Sequence, residues 1–141
     1  MPAPALNGVL ETALYVADLE RSGRFYETVF GFTLLMSEDR MRAYSVADKQ
    51  VLLLFVRGGS AQPSPLHGGL IPPHDGSGTL HLAFSVSPEA LPAWRAHLQD
   101  NGVAIESELN CGDGGPGDSL YFRDPDGHSL ELITPGCWPI Y

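Results

Sequence analysis

The stretch that decides the fold runs from Glu11 to Phe32 and reads ETALYVADLERSGRFYETVFGF. Apolar residues near an alternating spacing predict a strand over residues 9–16. Asp18 is a typical helix N-cap, and the apolar side chains after it recur at helical spacing up to Phe30. Gly31 is well placed to end that helix. The stretch therefore predicts a strand that is followed directly by a helix.

Three short strands are predicted after this helix, at residues 33–37, 41–46 and 50–56. The order β-α-β-β-β then returns, beginning with a strand at residues 80–86. Ser87 and Pro88 open a second helix, and Asn101-Gly102 end it. The remaining strands are predicted at 103–108, 119–123 and 129–134, with a turn at Asp124-Pro125-Asp126-Gly127 before the last one. The sequence predicts an α+β fold of two tandem βαβββ modules.

The two modules align as a degenerate internal repeat. The alignment pairs Glu11 with His81, Leu14 with Phe84, Val16 with Val86, Gly31 with Gly102, Tyr44 with Tyr121, and Leu53 with Glu131. The shared order of elements supports the repeat more strongly than residue identity does.

We predict one domain over residues 1–141. Its first module covers about 7–57, its second about 80–136, and a short tail follows at 137–141. The segment 58–79 between the modules is rich in glycine and proline and cannot continue a sheet or helix. A loop of this length in a compact domain is usually functional or disordered, and here it is predicted to be a partly ordered crossover.

Composition excludes several classes of protein. The chain has 141 residues, 43% hydrophobic and 18% charged, and its formal net charge is −9. A field of that sign disfavours nucleic acid and anionic membranes as partners. The chain has neither an apolar run that could cross a bilayer nor a signal peptide, so we expect a cytoplasmic protein. Cys111 and Cys137 could pair, but free thiols are the expected state in that compartment.

Three residues form a candidate metal site: Glu11, His81 and Glu131. Glu11 and His81 begin equivalent strands, and Glu131 interrupts the apolar run of the last strand. A buried carboxylate needs compensation, which a cation supplies. One imidazole and two carboxylates suit Fe, Mn, Ni, Zn or Mg, and they leave positions open for water and substrate. Taken singly, each residue has an ordinary alternative as a core or surface side chain.

The opening stretch resembles the start of modules in the glyoxalase/bleomycin resistance protein/dioxygenase (vicinal oxygen chelate) superfamily. Those modules combine Asp-Leu, Phe-Tyr and Gly-Phe in this order. The segment from Tyr121 to Leu132, reading YFRDPDGHSLEL, is similar to their closing strand pair, in which the Glu is a metal ligand. The resemblance covers most of the chain outside the 57–79 loop. It implies that the two modules curl into a cupped mixed sheet with a metal at the base of the cavity.

Carried over by position, the resemblance implies the same three ligands. Glu11 takes a position that is usually His, while His81 and Glu131 match the family residues. The fourth position, which holds a carboxylate or His in glyoxalase I, falls on Leu53. The missing ligand argues against a standard glyoxalase I. Glu11 in place of His departs from the two-His, one-carboxylate set of extradiol dioxygenases.

Five further residues are candidates for contact with a substrate. His74, Tyr121 and Arg123 are predicted catalytic residues, as acid/base groups or as the anchor of a carboxylate. Tyr44 and Trp138 are predicted to contact the substrate. Ordinary packing is the alternative for Tyr44 and Tyr121, and an exposed position in the loop is the alternative for His74. The other histidines, at 67, 97 and 128, are predicted to be on the surface.

The leading hypothesis for function is a divalent-metal-dependent enzyme that chelates two neighbouring oxygens of a small substrate. It would be a glyoxalase-like lyase or an extradiol-dioxygenase-like oxidoreductase, with the specific reaction unassigned. The alternative is a metal-free binding protein of the bleomycin-resistance type, which the acidic charge would suit. Family members of this size are commonly homodimers, so a homodimer is also expected.

Overall fold

The computed structural model describes residues 1–141, which form two compact units at 1–77 and 78–141. The boundary between the units lies inside the predicted crossover segment. Each unit contains a four-stranded mixed sheet and one principal helix. The predicted α+β fold of two βαβββ modules is therefore confirmed. Neither helix has the length and apolar character needed to cross a membrane.

The first unit forms its module in the predicted order. Its elements are β1 (Glu11–Val16), α1 (Leu19–Val29), β2 (Thr33–Ser37), β3 (Met41–Val46) and β4 (Gln50–Val56). The sheet order is β1-β4-β3-β2, with β1 parallel to β4 and the other pairs antiparallel. Only the first strand differs from its predicted bounds, because it begins at residue 11 instead of residue 9.

The caps of α1 agree with the sequence. Asp18 Oδ1 accepts hydrogen bonds from the backbone N–H groups of Glu20 and Arg21, at 2.9 and 3.1 Å. These bonds satisfy two of the donors that every helix start leaves open. Gly31 follows the helix with φ +69°, a left-handed conformation that glycine adopts without strain.

The two faces of the first sheet have different uses. One face is buried and carries Leu14, Val16, Tyr44, Leu52 and Leu54. Neighbouring side chains on a strand point to opposite faces. The alternate residues of β1 and β4 therefore form the other face, which is the one that bears Glu11.

The crossover segment contains a small hairpin that the sequence interpretation missed. Its strands are β5 (Ser64–Leu66) and β6 (Gly69–Ile71). His67 and Gly68 join them with φ values of 49° and 78°, and positive φ at both central residues is typical of tight hairpin turns. The hairpin forms a two-stranded sheet of its own and does not join either four-stranded sheet.

The second unit repeats the same topology. A 3-10 turn (Pro88–Ala90) precedes the second helix, and the other elements are β7 (His81–Ser85), α2 (Leu91–Asp100), β8 (Ile105–Asn110), β9 (Asp118–Arg123) and β10 (Ser129–Ile133). The sheet order is β7-β10-β9-β8, with β7 parallel to β10. The core consists of Leu91, Leu98, Leu120, Phe122, Leu130 and Leu132.

The turn between β9 and β10 corrects the prediction that His128 lies on the surface. Asp124 Oδ1 accepts from the N–H groups of Asp126 and His128, at 3.0 and 2.9 Å. His128 is fully buried, and its Nδ1 accepts from the Leu80 N–H at 2.9 Å. The turn thus folds against the start of β7 and buries the His128 imidazole. The prediction failed because a residue in a turn is usually exposed.

Cys111 and Cys137 form a disulfide bond, so the expectation of free thiols is wrong. The reason lies in the pairing of β9 with the end of β10. Asp118 N donates to Thr134 Oγ1 at 2.8 Å, and Thr134 N donates to Asp118 O at 3.0 Å. The segments that flank this pair carry the two cysteines, whose Cα atoms are 5.2 Å apart.

Candidate functional site

Two of the three predicted metal ligands meet in the second unit. The parallel register pairs Ser129 with His81 and Glu131 with Ala83, so His81 and Glu131 share a face of the sheet. His81 Nε2 lies 3.3 Å from Glu131 Oε1. The imidazole is half-exposed at 53%, whereas the carboxylate is 8% exposed. The histidine side of the pair is therefore open to solvent, whereas the carboxylate side is mostly buried.

A backbone contact determines which nitrogen of His81 faces Glu131 as an acceptor. His81 Nδ1 lies 2.9 Å from the Ser129 carbonyl oxygen. Because a carbonyl oxygen only accepts, Nδ1 carries the proton, and the neutral ring keeps its lone pair on Nε2. Metal-binding histidines usually donate their second N–H to a carbonyl or carboxylate in this way.

Glu131 is held by a serine that the sequence interpretation did not single out. Ser119 Oγ donates to Glu131 Oε2 at 2.6 Å, and both residues are buried. Tyr121 is the direct partner of Glu131 across β9 and β10, and Ser119 lies two residues earlier on the same face. That diagonal position was the available signal. The hydrogen bond leaves Oε1 as the oxygen that faces His81.

Tyr121 lies beside the same pair. Its ring centroid is 6.3 Å from that of His81. Burial raises the pKa of the Tyr121 phenol above its ordinary value of 10.0, and the charge and hydrogen bond of Glu131 raise that pKa further. The phenol is therefore protonated at neutral pH, so Tyr121 is a hydrogen-bond donor next to the carboxylate.

The His81–Glu131 pair has the spacing of two ligands of one ion. Metal–ligand distances near 2.1 Å imply donor atoms roughly 3.0 to 3.4 Å apart, and the observed distance is 3.3 Å. With nothing between them, the lone pairs of neutral His81 Nε2 and Glu131 Oε1 would face and repel each other. A cation bound by both atoms, or a proton on Nε2, would remove this repulsion. Neither unit by itself gathers three or more His, Cys, Asp or Glu side chains in a metal-binding group. The second unit thus brings together two side chains of the types that bind divalent metals.

Glu11 and Leu53 occupy the corresponding positions in the first unit. Glu11 pairs with Val51 at the start of β1, as His81 pairs with Ser129. Leu53 pairs with Ala13, as Glu131 pairs with Ala83. The register therefore supports both of these repeat alignments. Glu11 is exposed, and it lines a cavity with Leu53.

This first-unit cavity has a volume of about 720 Å³. One wall is the exposed face of the sheet, and the other is the crossover segment. His74 lies on the wall, where its Nδ1 is 2.8 Å from the Tyr15 hydroxyl oxygen. The sequence interpretation identified His74 but missed Tyr15, which shares with Glu11 the alternate positions of β1.

The register places Tyr44 elsewhere than the repeat alignment did. Tyr44 pairs with Leu52, whereas Tyr121 pairs with Glu131, the equivalent of Leu53. The alignment of the two tyrosines is therefore shifted by one residue, and such a shift moves a side chain to the opposite face. Tyr44 is fully buried, and its hydroxyl donates to Glu27 Oε1 at 2.9 Å. Its side chain belongs to the core and not to the cavity.

Arg123 and Trp138, the other two predicted contacts, have separate surroundings. Arg123 donates to both carboxylate oxygens of Glu106, at 2.6 and 3.1 Å, and to the Gly127 carbonyl oxygen at 3.0 Å. Its guanidinium is thus already engaged by an anion. Trp138 is 67% exposed in the segment after β10.

Strand order, register and the His81–Glu131 contact together describe a βαβββ repeat protein with a histidine–carboxylate pair on one sheet. The chain belongs to the Glyoxalase/Bleomycin resistance protein/Dioxygenase superfamily, whose family model matches residues 8–132. The resemblance identified from the sequence is confirmed.

Several named proteins are similar to most of the chain. Metallothiol transferase FosB of Bacillus licheniformis is 31% identical over 127 residues, covering 90% of this chain and 75% of that protein. Lactoylglutathione lyase of Salmonella typhimurium is 32% identical over 131 residues, covering 89% and 90%. The solved structure of lactoylglutathione lyase from Agrobacterium tumefaciens has a TM-score of 0.85 at 26% identity, covering 96% of this chain and 99% of that one.

Proposed function

We propose that the chain is a divalent-metal-dependent enzyme that acts on a small oxygenated molecule. His81, Glu131 and Glu11 would hold the ion, which would be Fe, Mn, Ni, Zn or Mg. The observation that carries the proposal is the distance of 3.3 Å between His81 Nε2 and Glu131 Oε1. The mostly buried carboxylate and the Nδ1 contact to a carbonyl oxygen support it further.

When bound, such an ion holds two neighbouring substrate oxygens and stabilises negative charge that develops on them. The side chains around it supply the rest of the site. Ser119 keeps Glu131 in its orientation, and Tyr121 offers a phenolic proton beside it. We propose His74 as the substrate contact in the first-unit cavity.

The named relatives and Leu53 bear on which class of reaction the enzyme would catalyse. One relative is named a transferase and another a lyase, and the superfamily name includes dioxygenases. Leu53 occupies the position equivalent to Glu131, so the first unit contributes one carboxylate, Glu11, instead of two. A three-ligand site favours a reaction that needs no metal-bound carboxylate as a proton shuttle.

Not all of the predicted substrate contacts enter this proposal with the same role. Arg123 would bind a substrate anion only after exchanging Glu106. Trp138 is exposed enough to pack against a ligand or a partner. Tyr44 has no role in the proposed site, because its side chain is buried and its hydroxyl donates a hydrogen bond to Glu27.

Metal binding tests the proposal directly. We expect protein purified without an affinity tag to take up one divalent ion per chain in dialysis followed by elemental analysis. His81→Ala and Glu131→Gln should each lower the metal affinity by more than the roughly 10- to 100-fold that follows from losing a residue that only supports a ligand. His97→Ala, an exposed histidine on α2, is the matched control. If no ion binds, the metal-free bleomycin-resistance type of binding protein takes the place of the enzyme. If ions bind but both variants bind them like wild type, the ion is held elsewhere and the proposed site is wrong.

We also propose a homodimer. β2 lies at the edge of its sheet and exposes Leu34, Leu35 and Met36 by 42 to 57%. An apolar edge strand favours coverage by a second copy. Light scattering measures the assembly state. If the ion is shared between copies, mixing Glu11→Ala protein with the His81→Ala/Glu131→Gln double variant should restore about a quarter of the sites. No recovery would place each site within one chain.

A cytoplasmic location is a separate proposal, and cell fractionation tests it. Fractionation with immunodetection should find the chain in the cytoplasmic fraction. Disulfide bonds seldom persist in reducing compartments. Recovery of the chain in another fraction, with the Cys111–Cys137 disulfide intact, would overturn that location without affecting the metal site.

A further inference from the structure

The first-unit cavity has the character of a binding site for an apolar molecule. Its volume of about 720 Å³ lies within the range of roughly 300 to 1,000 Å³ that is typical of small-molecule sites. Much of its wall is apolar and includes Met36, Met41, Leu53, Phe55 and Ile71. A few polar groups in such a wall orient a ligand.

The polar pair most firmly built into this wall is Tyr15 with His74. The Tyr15 hydroxyl oxygen and His74 Nδ1 are 2.8 Å apart. The His74 ring meets the Phe55 ring edge-to-face, with centroids 4.4 Å apart. Tyr15 is the register partner of Phe55, and their centroids are 6.0 Å apart. The three rings form one aromatic cluster that fixes both polar groups.

Backbone contacts also hold the segment that carries His74. The His74 N–H donates to the Ser60 carbonyl oxygen at 2.9 Å. Asp75 Oδ1 accepts from the N–H groups of Gly58 and Gly76, at 3.2 and 2.9 Å. Gly76 lies so close to the Tyr15 ring that a Cβ there would overlap it. The pair is therefore pre-organised before any ligand arrives.

The hydrogen-bonding capacity of the pair is independent of its tautomer. If Tyr15 donates to Nδ1, then His74 Nε2–H is a donor and the tyrosine oxygen keeps an acceptor lone pair. If Nδ1–H donates to Tyr15, the phenol becomes the donor and Nε2 the acceptor. In both cases the pair offers one donor and one acceptor. A ligand hydroxyl, which both donates and accepts, is its complement.

We propose that this cavity binds a predominantly apolar molecule bearing a hydroxyl group, which Tyr15 and His74 recognise together through one donated and one accepted hydrogen bond. The inference rests on the proposed function only in taking this molecule as the substrate. Glu11 lines the same cavity and brings one proposed metal ligand into it. The pair is thus a specificity determinant that selects a free hydroxyl over its blocked form.

Two probes of nearly equal size test this selection: 2-naphthol and 2-methoxynaphthalene. Calorimetric titration of metal-free protein should show that 2-naphthol binds about five- to tenfold more tightly, as expected for a net hydrogen-bond contribution. The Tyr15→Phe/His74→Phe double variant should bind both probes with the same affinity. The Tyr141→Phe/His97→Phe double variant, which changes the same residue types in the second unit, should keep the wild-type preference.

Wild-type protein alone provides a second measurement in case the double variant does not fold. The ¹⁵N NMR signals of the His74 ring should shift on addition of 2-naphthol, and should shift less with 2-methoxynaphthalene, whose ether oxygen accepts a hydrogen bond but cannot donate one. Equal affinities for the two probes, a preference that survives in the Tyr15→Phe/His74→Phe variant, or an unmoved His74 signal would each overturn the inference. Because the protein is metal-free in all of these measurements, failure of metal uptake leaves their outcome unchanged.

Discussion

The two sheets share their strand order and register but differ at two corresponding positions. The first unit has Glu11 and Leu53 where the second has His81 and Glu131. The second unit therefore presents a pair of donor atoms 3.3 Å apart, whereas the first presents one carboxylate in a largely apolar cavity. The repeat keeps its scaffold, while its two halves carry different side chains at corresponding positions of the sheet.

The buried faces of the two sheets agree where the other faces differ. Tyr44 and Phe122 are register equivalents, because they pair with Leu52 and Leu130 respectively. All four side chains are fully buried. The fold is therefore specified by one face of each sheet, which leaves the alternate residues free to diverge in chemistry.

The largest expected effect concerns the disulfide, which only the second unit has. Cys111 and Cys137 are separated by 26 positions. Closing a loop of that length stabilises a protein by about 3.5 kcal/mol, because it restricts the unfolded chain. Reduction should lower the free energy of unfolding by that amount in guanidinium titrations. The Cys111→Ser/Cys137→Ser variant should not respond to reductant, and an unchanged wild-type midpoint would contradict the prediction.

The next effect concerns Ser119, which orients Glu131. Ser119→Ala removes the 2.6 Å hydrogen bond to Oε2 and leaves both proposed ligands of the second unit in place. Metal affinity should fall about 10- to 100-fold, which is typical of losing an outer-shell partner. Calorimetry with Zn²⁺ measures the affinity, and Ser85→Ala on β7 serves as the control. Wild-type affinity in Ser119→Ala would mean that the serine does not position the carboxylate.

Sequence reasoning predicted the elements well, because caps and apolar periodicity are local signals. Asp18 and Gly31 determine the ends of α1 through their own side-chain and backbone chemistry, and Ser87 caps the 3-10 turn that precedes α2. The hairpin at 64–71 was missed, since strands of three residues are too short to show a period. The repeat alignment placed Tyr44 on the wrong face, because a shift of one residue is invisible without the register.

The candidate site was predictable where it depended on charge in an apolar strand. Glu131 stood out between two leucines, and the repeat then pointed to His81. Ser119 and Tyr15 were not singled out, because an ordinary serine or tyrosine in a strand gives no such contrast. Their roles depend on which residue lies across the strands or in the crossover segment, and those contacts exist only in the folded chain.

A smaller effect comes from the one hydroxyl by which Tyr44 differs from Phe122. Tyr44→Phe makes the two cores alike and removes the hydrogen bond to Glu27, which should cost about 1 kcal/mol at neutral pH. Burial and Glu27 raise the pKa of Tyr44 above 10.0, so its stabilising contribution is complete below pH 10.0 and is lost as the pH rises further. Urea midpoints of wild type and variant should therefore converge in strong alkali. Parallel curves would contradict this.

The smallest expected effect on stability comes from an ion pair on the edge strand of the second sheet. This strand, β8, carries Glu106, whereas the edge strand β2 of the first sheet carries the apolar residues Leu34, Leu35 and Met36. Hydrogen bonds from Arg123 hold the pKa of Glu106 below 4.5. The folded state therefore gains stability from this pair above pH 4.5 and loses it as the pH falls through the lowered pKa. Both partners are solvent-exposed, so salt should weaken the effect. The urea midpoint of wild type should fall as the pH is lowered through the acid range. Glu106→Gln should reduce that fall more than Glu89→Gln does. An equal fall in both variants would show that the ion pair adds nothing to stability.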